Sequence, residues 1–164
     1  MKKYTIQTWD NNPILRSKSE FINEINSEIK DFSKDLIKLM RKHDGVWLAA
    51  PQVGKNLRII ATTQRDMKKN KEKLLAETIM INPEIKDLSQ DMVIWEEACI
   101  SLPNIFGKVK RHKSLTVEYT DIKGNKQKKK LKDFNAVIVQ HEIDHLEGVL
   151  FTDKLIKNNK VKKM

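Results

Sequence analysis

The sequence predicts an α+β fold, with mixed or antiparallel sheets around a central C-terminal helix that carries a His-Glu-x-x-His pattern, and with a long N-terminal helix. Apolar residues recur at helical spacing at both ends of the chain, and shorter alternating segments lie between them. The order helix, strands, helix favours α+β over a regular alternation of strands and helices. With 164 residues and no internal repeat, the chain is expected to form one domain, residues 1–164, whose basic tail frays from residue 155.

The first helix is predicted over about residues 19–43, after an irregular arm at residues 1–16. Ser17 and Glu20 have the spacing of a capping box, and apolar residues from Phe21 to Met40 follow at three- and four-residue steps. Asp44 and Gly45 are expected to end this helix.

Short strands are predicted at residues 57–62, 78–81, 92–95 and 115–119, and the polar residues 63–73 are expected to form an exposed loop. The segment from Asp121 to Asn125 has the composition of a hairpin turn, so a charged strand over about 126–132 should pair back on the strand before it. The helical pattern returns over about residues 134–148.

The charge and cysteine content narrow the class of protein. The net charge of +10 favours encounters with polyanions such as RNA. Cys99 is the only cysteine, so an intrachain disulfide is excluded, which fits a reducing compartment. Apolar segments fall far short of the roughly 20 residues that span a bilayer, and the N-terminus lacks the apolar region of a secretory signal.

The strongest chemical signal is the segment from His141 to His145. Two histidines four residues apart lie on the same face of a helix, so both imidazoles can reach one metal ion. Glu142 lies beside that position, where it can exchange protons with a metal-bound water. The alternative is a pair of helix histidines with ordinary hydrogen bonds.

A third ligand is needed, and Cys99 is the candidate. Zinc proteases of the His-Glu-x-x-His type take a Glu or His from further along the chain, but only 19 residues follow His145 and they contain no His. Their one glutamate, Glu147, is too close on the same helix to turn back to the same ion. A thiolate is a good ligand for Fe(II) or Zn(II). Without the histidine pair, a buried core thiol would be the more ordinary interpretation of Cys99.

Three ordered segments resemble the motifs of the peptide deformylases. Residues 45–52 are similar to G-x-G-x-A-A-x-Q, residues 97–101 to E-G-C-x-S, and residues 140–145 to Q-H-E-x-D-H. The likeness covers roughly residues 4–156 and includes Ile81-Asn-Pro83 and Gly148 to Phe151. Two positions depart from it, since Trp47 and Ala98 stand where the family has glycine.

The resemblance implies removal of the N-formyl group from the initiator methionine of nascent polypeptides, with release of formate. It implies one divalent metal ion held by Cys99, His141 and His145, with Fe(II) as the native ion in bacteria and with Zn, Ni or Co able to replace it. Glu142 would be the general base, while Gln52 and the backbone N–H of Ile100 would hydrogen-bond the developing oxyanion.

Further residues are expected to bind the substrate. The resemblance implies that Arg111 binds a substrate carbonyl or carboxylate, and that Glu97 orients Arg111 or nearby backbone. Apolar residues could line a pocket of methionine size or simply belong to the core. The predicted substrate-binding residues are Gly45, Val46, Trp47, Glu97, Arg111, Phe134, Val137 and Ile138, and Trp95 is a further candidate.

Other functions stay open at this point. Trp47 suggests a catalytically weakened deformylase-like protein, the His-Glu-x-x-His pattern alone suggests a metalloprotease, and the charge suggests a basic binding module. The expected partners are formyl-methionyl nascent peptides and, through the lysine-rich segments, a weak ribosome contact, with no membrane partner. A monomer in the cytoplasm of a bacterium is expected, and organellar and phage origins stay open.

Overall fold

The computed structural model describes residues 4–66 and 73–156, and the backbone of Lys162 and Lys163. Its helices and strands, in chain order, are α1 (Ser27–Lys42), β1 (Trp47–Ala49), β2 (Ile59–Asp66), β3 (Lys73–Leu88), β4 (Met92–Cys99), β5 (Leu102–His112), β6 (Ser114–Thr120), β7 (Lys126–Lys132), α2 (Asp133–Leu146) and β8 (Lys162–Lys163). Short 3-10 helices cover Ala50–Val53 and Phe151–Lys154.

Two antiparallel sheets enclose α2. The larger sheet has the strand order β1-β2-β3-β6-β7, and the smaller has the order β4-β5-β8. Helix α2 contacts strands of both sheets and buries most of its length, which includes His141, Glu142 and His145. The predicted α+β fold around a central C-terminal helix is therefore confirmed.

The start of the first helix was predicted wrongly. Helix α1 begins at Ser27, where the side chain of Asn26 accepts a hydrogen bond from the backbone N–H of Ile29. The hydroxyl of Ser17 donates to the carbonyl of Pro13 at 2.6 Å instead of capping a helix. Glu20 pairs in parallel with Leu57 in an isolated bridge, so this part of the chain is extended.

The strands match the prediction in part. Strand β7 and its hairpin with β6 have the predicted bounds within one residue, and α2 does so within two. Residues 63–66, which were expected to lie in a loop, belong to β2, and Thr63 is buried there. Strand β5 was not predicted, because Pro103, Gly107 and the lysines between residues 102 and 112 hide its alternation.

The chain after α2 returns to the smaller sheet. Leu155 bridges to Val109 of β5, and the N–H of Ile156 donates to the carbonyl of Lys108. Residues 157–161 and 164 of the expected tail lie outside the described residues. Within the described parts of the chain, neither helix has the length and apolar character that crossing a membrane requires.

Candidate metal centre and substrate groove

Three side chains from two elements converge at the centre of the molecule. Cys99 ends β4, while His141 and His145 lie one turn apart on α2. One ligand atom from each lies within 4.8 Å of the others, and Cys99 Sγ is 3.3 Å from His145 Nε2. All three residues are buried, so the cluster could hold one metal ion with a thiolate and two imidazoles.

Unpartnered buried atoms support this assignment. His141 Nε2 and both carboxylate oxygens of Glu142 are buried without a hydrogen-bond partner among the described residues. Buried polar atoms normally have partners, because an unpartnered one costs about 1–3 kcal/mol. The donor set fits a divalent ion such as Fe(II) or Zn(II).

The two imidazoles favour the thiolate form of Cys99. Burial would raise the pKa of this thiol, but the charge and hydrogen bonding of His145 and His141 hold it well below its ordinary value. A thiolate is the form of cysteine that binds metals.

Glu142 is fully buried beside the ligands. Its Oε1 is 3.9 Å from His141 Nε2. Burial raises the pKa of Glu142 to about 7, against the opposing charges of the histidines. A carboxyl group with a pKa near neutrality can both accept and release a proton.

A buried ion network fixes the orientation of His141. Glu97 accepts a hydrogen bond from His141 Nδ1 at 2.8 Å and two from Arg111 at 2.7 and 2.9 Å. Arg111 also donates to Asp144 at 2.5 Å. Burial would raise the pKa of Glu97, but these partners lower it to about 2. A carboxylate on the second imidazole nitrogen sets the tautomer of a ligand histidine.

This network argues against the predicted contact of Arg111 with substrate. The Arg111 side chain is only 2% exposed, and its guanidinium group is held by Glu97 and Asp144. The carboxylate of Glu97 is bonded to His141 and Arg111, and Glu97 also lines the cavity beside His141. The sequence predicted that Glu97 orients Arg111, and the structure shows that pair directly.

Gln52 reaches the cluster from the short helix after β1. Its side-chain nitrogen lies 3.3 Å from Cys99 Sγ and 3.2 Å from Ser101 Oγ, and its oxygen accepts from the N–H of Ala49 at 2.8 Å. The last bond identifies which end of the amide faces the cluster. Ile100 lies in the turn between β4 and β5, directly after Cys99, and is 36% exposed.

An apolar cavity of about 170 Å³ adjoins His141. Its walls include Trp47, Trp95 and Phe134, with Phe134 between the two indoles at centroid distances of 5.6 and 5.3 Å. Val137 and Ile138 of α2 also line it, as do residues 96–98 of β4. The volume matches about five or six water-sized groups at roughly 30 Å³ each, which suits an unbranched side chain.

A second, more open cavity of about 370 Å³ lies on the other side of Trp47. Gly45, Val46, Cys99 and Ile100 are among its lining residues. Strand β1 is the edge strand of the larger sheet, and among the described strands it pairs only with β2. Trp47 lines both cavities. Of the other predicted substrate contacts, Gly45 and Val46 line the open cavity, and the apolar cavity is lined by Phe134, Val137 and Ile138.

The N-terminal arm contributes contacts that the sequence did not indicate. The N–H of Gln7 donates to the carbonyl of Gln52 at 2.8 Å, and the N–H of Trp9 donates to the carbonyl of Ser101 at 2.9 Å. Leu15 packs with Cys99 and Leu102 in one buried cluster. These contacts join residues far apart in the chain and have no local sequence signal.

Comparisons with known proteins agree on one family. The family model described as polypeptide deformylase matches residues 4–161. Peptide deformylase 2 of Nostoc sp. is 42% identical over 149 residues, which cover 90% of this chain and 83% of the relative. The crystal structure of peptide deformylase from Thermotoga maritima superposes with a TM-score of 0.84 at 31% identity, over 95% of this chain and 99% of that one. A Met-Ala-Ser-bound deformylase from Acinetobacter baumannii also has a TM-score of 0.84, at 31% identity, over 93% and 98% of the two chains.

Proposed function

The chain belongs to the polypeptide deformylase family, and from this premise we propose how its residues divide the reaction among them. It is a metal-binding hydrolase that removes the formyl group from the N-terminal methionine of nascent polypeptides and releases formate. The observation that carries the assignment of roles is the buried cluster of Cys99, His141 and His145 beside the unpartnered carboxylate of Glu142.

The metal ligands in this proposal are Cys99, His141 and His145. When bound, a divalent ion would act as a Lewis acid and would lower the pKa of a coordinated water. We propose Fe(II) as the native ion, with Zn, Ni or Co able to occupy the site in a given preparation. The thiolate and two imidazoles suit all four ions.

Glu142 is the proposed general base. It accepts the proton of the attacking water and then delivers it to the amine nitrogen that leaves with methionine. Its burial and its pKa of about 7 suit both transfers. Its carboxylate oxygens have no hydrogen-bond partner among the described residues, so no competing contact has to break first.

Gln52 and the backbone N–H of Ile100 are the proposed donors to the developing oxyanion. The bond from Ala49 holds the Gln52 amide with its nitrogen towards the cluster. Fixed neutral donors aimed at a developing negative charge need little reorganisation during the reaction.

The methionine side chain is proposed to enter the 170 Å³ cavity, and the rest of the peptide to run through the more open cavity along β1. Val46, Trp47, Phe134, Val137 and Ile138 would then contact substrate, with Gly45 at the far end. The Met-Ala-Ser complex of the Acinetobacter enzyme supports a peptide of this type as ligand.

A formate-release assay on formyl-Met-Ala-Ser tests the proposal. Protein loaded anaerobically with Fe(II), or with Ni(II), should release formate, and the Glu142→Ala variant should lose about 10²–10⁴-fold in rate. Equal rates for the two proteins would contradict the role of Glu142. Cleavage of casein without release of formate would instead favour a metalloprotease, and rates at background level would favour the weakened deformylase-like protein.

The remaining expectations concern partners and location. We propose a weak ribosome contact through the lysine-rich surface, which salt should weaken steeply. We propose that the protein is a monomer, which analytical ultracentrifugation can test. Similarity to bacterial enzymes supports a cytoplasmic location of the bacterial type.

A further inference from the structure

An exposed aromatic residue lies in the extended segment before α1, and it lines neither of the two cavities beside the proposed metal site. Phe21 is 62% exposed, although its backbone is held on both sides. Asn82 accepts from the N–H of Ile22 and donates to its carbonyl, and the N–H and carbonyl of Glu20 are bonded to Asn56 and Arg58. Most of the apolar surface of this ring therefore stays in water after folding and is open to a contact outside the core.

Three lysines lie near this ring. Phe21 lines an open depression of about 420 Å³ together with one acidic residue, Glu24, and with Lys30, Lys123 and Lys126. The hairpin between β6 and β7 presents the last two of these. Its turn is well ordered, because Asp121 accepts the backbone N–H groups of Lys123 and Asn125, each at 2.9 Å.

The positive charge continues along β7. Its alternate residues all point to the same exposed face, and they are Lys126, Lys128, Lys130 and Lys132. Lys128 pairs with Glu118 at 3.0 Å, which is the acidic partner opposite it on β6. At about 3.4 Å per residue, the row extends for about 20 Å from the depression.

We propose that Phe21 and this row of lysines form a binding surface for single-stranded nucleic acid, separate from the deformylase site. Aromatic rings stack on unpaired bases, and regularly spaced lysines follow the phosphate backbone. A membrane surface would need a broader apolar area than one ring to anchor the contact. The inference rests on the proposed ribosome contact in that it names the chemistry that the β7 lysines would bind there, and it does not depend on the roles assigned to the catalytic residues.

Fluorescence anisotropy of the full chain with a labelled 12-nucleotide oligouridylate tests the surface. We expect Phe21→Ala to lower affinity about 5- to 100-fold, while Ile94→Ala, at an equally exposed apolar residue, leaves it unchanged. About four phosphate contacts predict a slope near −3 in a plot of log affinity against log salt. An oligodeoxynucleotide and a 12-base-pair duplex distinguish RNA from DNA and single from double strands.

A matched pair of double variants separates a site from general charge attraction. Lys126→Gln with Lys130→Gln removes two charges from β7, and Lys108→Gln with Lys110→Gln removes two exposed charges from β5. We expect only the first pair to weaken binding, with formate release unchanged in both. Equal weakening by both pairs, no effect of Phe21→Ala, tighter binding of the duplex, or binding to anionic vesicles without binding to oligouridylate would each overturn the proposal.

Discussion

Glu97 is the residue whose replacement should affect both stability and metal affinity. Its carboxylate joins His141 to Arg111 in the interior, and the Glu97→Gln substitution keeps the size of the side chain but removes its charge. The Arg111 guanidinium then keeps only Asp144 as an anionic partner among the described residues. An amide also cannot accept all the hydrogen bonds that the carboxylate accepts.

The size of the effect follows from the pKa of Glu97. The fall from 4.5 to about 2 corresponds to about 3 kcal/mol of folding free energy at 1.36 kcal/mol per pKa unit. Because the folded-state pKa is the lower one, this contribution is complete above pH 4.5 and is lost as the pH falls towards 2. At pH 3, roughly 1.4 kcal/mol of it should be left.

Urea unfolding of metal-free protein at pH 7 and pH 3 measures this difference. We expect Glu97→Gln to be about 3 kcal/mol less stable than the parent at pH 7. At pH 3 this difference in the free energy of unfolding should be less than half as large. Metal affinity should fall about 10- to 100-fold, because His141 loses the group that orients it. Glu24→Gln, at an exposed carboxylate, is the control. A loss below about 1 kcal/mol at pH 7, or a loss of the same size at both pH values, would refute the reasoning.

Three further substitutions test the site and its supports. Cys99→Ala should strip the metal or abolish formate release, and stoichiometric metal with full activity would exclude Cys99 as a ligand. Trp47→Gly should change kcat/KM on formyl-methionyl peptides about tenfold, or about 1.4 kcal/mol, with unchanged metal content; identical kinetics on several peptides would leave Trp47 a packing role only. Gly148→Ala should destabilise the fold by about 2–4 kcal/mol in thermal or urea unfolding, because Gly148 has φ +72° and a Cβ there would lie 2.5 Å from the carbonyl oxygen of Arg16. Wild-type stability of that variant would mean that the arm moves aside at no cost.

Local patterns predicted those parts of the structure that depend on neighbouring residues. The spacing of His141 and His145 places both on one helix face, and the turn after Asp121 sets the register of β6 and β7. The start of α1 was predicted wrongly because the hydroxyl of a serine can bond to several backbone groups. The hydroxyl of Ser17 bonds to the carbonyl of Pro13 and does not cap a helix.

Most contacts between distant segments escaped prediction, and the one that was expected, between Glu97 and Arg111, had no strand pairing to explain it. The position of Arg111 in strand β5 could be seen only once that strand was known to pair with β4, which brings Arg111 opposite Val93 and within reach of Glu97. The arm contact from Trp9 to Ser101 likewise has no sequence pattern. The sequence predicted the proposed ligands, the proposed base and the pairing of Glu97 with Arg111, but not the contact of Glu97 with His141.

The distances along the chain between these groups have a consequence for how the protein is made. Gln52 contacts Cys99 across 47 residues, and Cys99 contacts His145 across another 46. The N–H of Ser19 bonds to the carbonyl of Leu146, so the segment before α1 is held by the end of α2. Contacts between residues so far apart slow folding, because the chain must lose conformational entropy in closing the long loop before the contacts can stabilise it. A chain still emerging from the ribosome therefore cannot bring Cys99 together with His141 and His145, the proposed metal ligands, until α2 has been synthesised.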